Sequence, residues 1–405
     1  MKVALVCGDY RPSRDGVAHY VGRLAAELSQ HELQVVVASG APDRVEGDTP
    51  QGHACMARPW IITERWTFGG TVRAAQALRA ATPDIVHVQF APSAYAWSGA
   101  VGVLPALLRE ACLVTTVHEY AWWSWAPRRL APLLDRAVWP QLERRCLWDR
   151  EAGFLTTHAA AVVTTNRSAT NALQARLPAV RVVEVPIGAN VPILAGPGED
   201  LRQHVRAQLG LAPDAPVLAF FGFVHAVKGI RHLIEALALV RRDHPDAHLL
   251  LVGGFDSLAL RGREATDYRQ QVEAMIAERD LTAAVTVTGW QPEDAVSRLL
   301  SAADVAVLPF TAGTTIKSGS LLTCAEHALP IVATAADPPD PALNSDAALL
   351  VDPRDGPGLA KAISRVLEDS QLAAALSAGA RRLADAHGWP AIADAHLRLY
   401  QELAR

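Results

Sequence analysis

The chain predicts an α/β protein built from two doubly wound parallel sheets in successive domains. Three observations predict it. Short apolar, β-branched runs alternate with longer amphipathic stretches along the 405 residues. The runs are continuously apolar, as suits parallel strands buried on both faces. The alternation breaks once, at PIGANVPILAGP from Pro186 to Pro197, a Pro- and Gly-rich stretch without periodicity that reads as a linker. Two domains of similar size follow, residues 1–188 and residues 189 onward.

Taken in order, KVALVC, QVVVAS, DIVHVQ, LVTTV and AVVTT predict the strands of the first domain. VLAFF, HLLLV, VTVT, VAVLP and IVAT predict those of the second. Helical periodicity lies between them. Val17, Tyr20, Val21, Leu24 and Leu28 share one face, as do Ile230, Leu233, Ile234 and Leu237. After Trp389, Ile392, His396, Leu399 and Leu403 mark a closing amphipathic helix. The opening MKVALVC has one basic residue and an apolar run too short for a secretory leader, so it reads as a first strand. No apolar run approaches the length of a membrane span.

Composition narrows the function classes. Half of the residues are apolar and a fifth are charged, a globular balance, and the net charge of −4 offers no bulk attraction for nucleic acid. The five cysteines (Cys7, Cys55, Cys112, Cys146, Cys324) are scattered and form no CxxC pair, which predicts reduced thiols and a cytoplasmic location. Histidines lack HExxH or similar spacing and no DxD triad appears, so no metal site is expected. Lysine is rare: Lys2, Lys228, Lys317 and Lys361 are the complete set.

Three segments carry chemistry. The first strand runs into Gly8 and Asp9, then Asp15 and Gly16 at a helix start, where a ligand can approach the backbone and a helix N-terminus. GxGxxG is absent, so this is no dinucleotide fingerprint. In FFGFVHAVKG a strand ends at Gly222, and the loop places His225 and Lys228 at the carboxyl edge of a parallel sheet, where α/β folds bind ligands. An ammonium there can neutralise a leaving diphosphate. In LPFTAGTTIKSGSLLTCAEHALPIVAT, Ser318, Gly319 and Ser320 begin a helix whose free amides suit phosphate, with Lys317 beside them. Glu326 in the otherwise apolar helix is expected to accept ribose hydroxyls.

The order of these segments resembles the family 4 retaining glycosyltransferases over essentially the whole chain. DGVAHYV is similar to the family's N-terminal Gly loop, and VHEY to the strand end that carries its active-site His, matching His118. VPIGANV resembles its linker strand, FFGFVHAVKG its Arg/Lys diphosphate motif and KSGSLLTCAEHALPIVAT its paired-Glu motif. The resemblance implies the GT-B fold: two Rossmann-like domains facing a cleft, with the C-terminal helix 389–405 returning to the acceptor domain 1–188. The donor domain is then 189–388. It also implies anomeric retention. Two departures stand out. Phe223 and His225 occupy the loop where the family usually has Arg, and Ser318 stands eight positions before Glu326, where the family has its first Glu.

The resemblance implies a donor site of Gly16, Gly222, His225, Lys228, Lys317, Ser318, Gly319, Ser320 and Glu326. His118, Glu119 and Lys228 are its catalytic candidates, Glu119 as a possible orienting group for His118. Asp15, His19 and Tyr120 fall on the acceptor side with Trp122, Trp123 and Trp125. Those three indoles can stack on a sugar or cyclitol ring, hold the enzyme at an anionic membrane, or pack a core; the acceptor role is favoured. Trp139 and Trp148 are read as core. The expected activity is sugar transfer from a UDP- or GDP-type donor to a small-molecule or glycan acceptor, with the nucleotide sugar as co-substrate and no further cofactor. A sugar-nucleotide epimerase and an inactive donor-binding regulatory protein are the alternatives.

Overall fold

The computed structural model describes residues 1–11, 15–41, 58–121, 138–193, 199–255 and 262–404. Trp122, Trp123, Trp125 and Cys55 lie outside the described residues. The chain divides into two compact units, Met1–Ile187 with Trp389–Arg405, and Gly188–Gly388.

Among its described residues the first unit holds seven strands: β1 (Lys2–Asp9), β2 (Gln34–Gly40), β3 (Trp60–Thr63), β4 (Ile85–Phe90), β5 (Cys112–Val117), β6 (Ala161–Thr164) and β7 (Val182–Glu184). They form one sheet in the order β3-β2-β1-β4-β5-β6-β7, with every pairing parallel. The second unit holds β8 (Val217–Phe221), β9 (His248–Val252), β10 (Val285–Val287), β11 (Val305–Leu308), β12 (Ile331–Thr334) and β13 (Leu349–Val351). Its order is β10-β9-β8-β11-β12-β13, again all parallel. This is the α/β, doubly wound architecture that the apolar runs predicted. The sequence reading missed β3, β7 and β13. They are short strands at the sheet edges and mostly half-buried, so they lack the long apolar signal of a central strand.

Each sheet is covered on both faces. In the first unit, Leu5, Cys7 and Val114 meet Val21, Leu24 and Leu28 of the helix Gly16–Leu28. Ile392, Ala393, Leu399 and Tyr400 of the closing helix Trp389–Leu403 join the same cluster. Each fully buried leucine contributes about 1.5–3 kcal/mol by leaving water. The C-terminal helix is therefore an integral part of the first core. In the second unit the helix Ile230–Val240 buries Ile230, Leu233, Ile234 and Leu237, the predicted face, together with Ala236 and Val240.

Both strand orders reverse once, between β1 and β4 and between β8 and β11. Connections leave to opposite faces at such a point, and a crevice opens at the carboxyl ends of the two strands. The two switch points position the candidate site residues.

Candidate active site

In the second unit the loops after β8 and β11 are pressed together. Gly229 has φ +69°, and a Cβ there would lie 1.8 Å from the carbonyl oxygen of Pro309. Thr311 donates to the carbonyl of Val227 through its amide at 3.0 Å and its hydroxyl at 3.2 Å. The β8 loop is also tied to the end of β9: the amides of Gly222 and Val224 donate to the carbonyls of Val252 and Gly254 at 3.0 and 2.8 Å. This clamp presents Lys228. Its Nζ sits 3.7 Å from the centroid of the Phe310 ring. No carboxylate pairs with it among the described residues, and burial lowers its pKa to about 8. A half-buried ammonium compensated among the described residues by a ring face favours an anionic ligand.

His225 caps the short turn before Lys228, its Nδ1 accepting from the Val227 amide at 3.2 Å. Nδ1 is therefore bare and Nε2 carries the proton, an outward donor. Burial and then the Lys228 charge lower the His225 pKa, which keeps the ring neutral.

The helix Gly319–Glu326 starts beside this loop. Ser318 is its N-cap, Oγ accepting from the Leu321 amide at 3.3 Å. Gly222 has φ +132°, and a Cβ on it would come within 2.6 Å of Ser320 Oγ, so the β8 loop and the helix N-terminus meet there. Lys317 is exposed immediately before the cap. Asn190, from the linker, was not anticipated: its side-chain Nδ2 would lie 2.5 Å from a Cβ at Gly319. The amides of Asn190 and Val191 donate to the buried Thr323 Oγ1 at 3.2 and 3.3 Å, fixing the linker to this helix. Gly222, His225, Lys228, Ser318, Gly319 and Ser320 are thus brought to one sheet edge.

Glu326, expected at the ribose, is not among them. It is the last residue of the helix, about 10 Å along the axis from Gly319. Its carboxylate faces Arg381 at 3.5 Å, and the Arg381 guanidinium also donates to the Glu326 carbonyl at 3.1 Å. The acidic residue in an apolar helix is partnered where it stands.

In the first unit the loop after β4 lies on the end of β1. A Cβ on Gly8 would meet the Ala94 carbonyl oxygen at 2.2 Å, and Trp66 Nε1 donates to the Gly8 carbonyl at 2.7 Å. Asp15 is the N-cap of the helix Gly16–Leu28, its two carboxylate oxygens accepting from Val17 and Ala18 at 3.2 Å each. Burial raises its carboxyl to about 7 in spite of those donors, with Asp9 and Glu119 adding to the rise. Gly16 is exposed, and nothing among the described residues lies within 4 Å of a Cβ placed on it. The packing of the described residues does not explain the missing side chain. His19 follows half-buried in the first turn.

His118 stands one residue past β5, its amide bonded to the Phe90 carbonyl at 2.9 Å. Tyr20 meets the ring edge-on at 4.9 Å. Burial, with the nearby His396, lowers its pKa to about 3, so the ring is neutral at physiological pH. Its Nε2 donates to Gln89 Oε1 at 3.0 Å. Glu119 is exposed beside it.

Tyr120, expected on the acceptor side, is held by contacts within the unit. Its hydroxyl donates to Asp149 Oδ2 at 2.8 Å, and the Arg176 guanidinium covers its ring at 4.7 Å. Arg176 in turn bonds Glu143, Asp149 and Glu151, and Arg150 bonds Glu143 at 2.8 Å. A tyrosine with hydroxyl and face both engaged is an anchor for the chain beyond β5. Trp148, read as core, is half-buried and packs edge-on against Phe154 at 4.7 Å. Among the described residues no group of three or more His, Cys, Asp or Glu side chains is placed to hold a metal ion. No helix among them is long and apolar enough to cross a membrane.

Two family models match the chain: Glycosyltransferase Family 4 over residues 14–191 and Glycosyl transferases group 1 over residues 215–369. Among similar proteins, the D-inositol 3-phosphate glycosyltransferase of Corynebacterium jeikeium is 25% identical over 407 residues, covering 96% of this chain and 92% of the relative. The 2-deoxystreptamine glucosyltransferase of Streptomyces kanamyceticus is 26% identical over 331 residues, covering 81% and 79%. The sucrose-phosphate synthase of Thermosynechococcus elongatus superposes with a TM-score of 0.70 at 23% identity, covering 100% and 99% of the two chains. Anabaena HepE in complex with UDP and glucose superposes at 0.71 with 17% identity, covering 99% and 100%. With one family model in each unit and this fold, the chain belongs to the group 1, family 4 glycosyltransferases, retaining enzymes of the GT-B fold that draw on nucleotide-sugar donors.

Proposed function

We propose that the chain transfers a hexosyl group from a UDP- or GDP-linked sugar to a hydroxyl of a cyclitol or sugar acceptor, with retention. The observation that carries this reading is Lys228: an ammonium at the switch point of the second sheet, without a carboxylate partner among the described residues, in the loop that meets a helix N-terminus. Lys228, the amides of Gly319 and Ser320, and Lys317 receive the diphosphate. His225 donates a hydrogen bond from Nε2. A retaining transfer without a carboxylate nucleophile proceeds on one face of the sugar. The C1–phosphate oxygen bond breaks, the C1–acceptor oxygen bond forms, and the acceptor proton passes to the departing phosphate. Within the first unit, neutral His118 and the open turn at Gly16 are the groups this reading assigns to ligand contact. Names among the relatives support the ligand classes: an inositol phosphate and 2-deoxystreptamine are carbocyclic polyols, and HepE was solved with UDP-glucose.

The test is a thermal-shift and calorimetric screen against UDP, GDP, ADP and dTDP, without added metal. A ligand that binds the folded state raises the melting point by mass action. One nucleotide is expected to bind, with the shift lost in Lys228→Met. No shift with any of the four would sink the proposal.

A further inference from the structure

His118 owes its orientation to a residue that the first-unit motifs do not include. Gln89 and Thr116 are register partners on β4 and β5, and the bond from the His118 amide to the Phe90 carbonyl extends that pairing by one residue. Gln89 and His118 therefore rise on the same side of the sheet, the side covered by the helices Gly16–Leu28 and Trp389–Leu403. Gln89 is completely buried, and its Oε1 lies 3.0 Å from His118 Nε2. An amide oxygen can only accept, so the imidazole proton resides on Nε2. His118 Nδ1 has no hydrogen bond among the described residues. The other amide atom, Gln89 Nε2, is buried without a partner among them. A leucine of similar size would avoid leaving that group unsatisfied. The glutamine is accounted for by what its oxygen does.

We infer that Gln89 is a positioning residue that holds His118 in the Nε2–H tautomer, so that Nδ1 offers a lone pair to a substrate hydroxyl. The surroundings favour a fixed neutral ring. Tyr20 packs on it from one helix and itself stacks at 5.2 Å on Trp389 of the closing helix. Beneath, His87 is held between the Tyr400 hydroxyl at 2.5 Å and Thr116 Oγ1 at 2.7 Å. His396 bonds the Ile392 carbonyl at 2.8 Å. Burial disfavours charge on all three imidazoles. An imidazole held this way accepts a hydrogen bond and orients a hydroxyl without supplying a proton. The inference rests on the proposed function only for what Nδ1 meets.

Two-bond proton–nitrogen spectra of the full chain labelled with ¹⁵N-histidine test the inference without any ligand, His118 being assigned by its loss in His118→Ala. The expected spectrum shows a protonated Nε2 and a pyridine-type Nδ1, and Gln89→Leu converts it to a tautomer average. UDP-glucose turnover by Gln89→Leu is expected to fall about 10–100-fold in kcat, with the Kd for UDP unchanged. A proton on Nδ1 in the native protein overturns the inference, as does an unaltered tautomer in Gln89→Leu. If His118→Ala retains native turnover while the tautomer pattern is as expected, the functional reading of His118 fails and the positioning by Gln89 stands.

Discussion

Replacing Lys228 with methionine should make the protein more stable and less able to bind nucleotide. Burial takes the ammonium from an ordinary 10.5 to about 8. At about 1.4 kcal/mol per unit, the buried charge costs roughly 3 kcal/mol at pH 7. The Phe310 face returns about 1 kcal/mol of this. Methionine keeps the length and the ring contact without the charge, so the unliganded second unit should gain about 2 kcal/mol, a rise of several degrees in Tm. The sign follows from linkage. The unfolded chain binds the proton more tightly than the folded one, so the native protein gains stability as pH climbs through 8 toward 10.5, and the variant lacks that gain. Binding moves the opposite way. A charge-assisted contact to diphosphate contributes about 1.5–3 kcal/mol, so Lys228→Met should weaken UDP or GDP by roughly 10–150-fold. Native affinity should hold below pH 8 and decline above it as the free lysine loses its proton. Differential scanning calorimetry of the unliganded protein and titration calorimetry from pH 7 to 9.5 measure both effects. A variant that is less stable at pH 7 and binds nucleotide normally would show that Lys228 is a structural residue and refute this reasoning.

Four further outcomes follow from the geometry. Gly16→Ala should leave Tm unchanged or slightly raised, because nothing described crowds its Cβ and alanine favours a helix, yet lower turnover at least tenfold; Gly8→Ala should lower Tm, because the Ala94 carbonyl occupies the space. Glu326→Ala should leave the nucleotide Kd within about twofold and cost less than about 1 kcal/mol, since its partly exposed pair with Arg381 spans 3.5 Å; a large loss of affinity would restore the ribose role. Asp15→Asn keeps an N-cap and removes a buried charge. The native carboxyl is raised to about 7, so native stability falls as pH rises from 4 to 7, and the advantage of the variant in Tm should grow over that range and level off above it. A constant difference across pH would contradict this.

The parts of the molecule that a one-dimensional pattern encodes were legible in the sequence. Central strands buried on both faces announce themselves as apolar runs, and Lys228 could be placed at a sheet edge because its strand and its following helix were both visible. Edge strands such as β13 were not, since three half-buried residues carry no such signal. The partner of Glu326 was not legible, because a spacing of eight was counted without knowing where the helix begins. With Ser318 as the cap, that spacing carries the carboxylate to the far end of the helix and onto Arg381, a partner 55 residues away. Gln89 was not singled out, and the anchoring of Tyr120 was not legible, for the same reason: His118 and Asp149 are each 29 residues distant, and only strand register and packing bring them together.

The most direct test of the central claim is proton NMR of a reaction containing the purified chain, UDP-glucose or GDP-glucose, and a cyclitol acceptor such as inositol phosphate or 2-deoxystreptamine. The account predicts a new anomeric signal with the small coupling of an α-linkage, growing in step with release of the nucleotide diphosphate and absent with Lys228→Met. A β-linked product, or tight nucleotide binding with neither transfer nor donor hydrolysis across the panel, would contradict it.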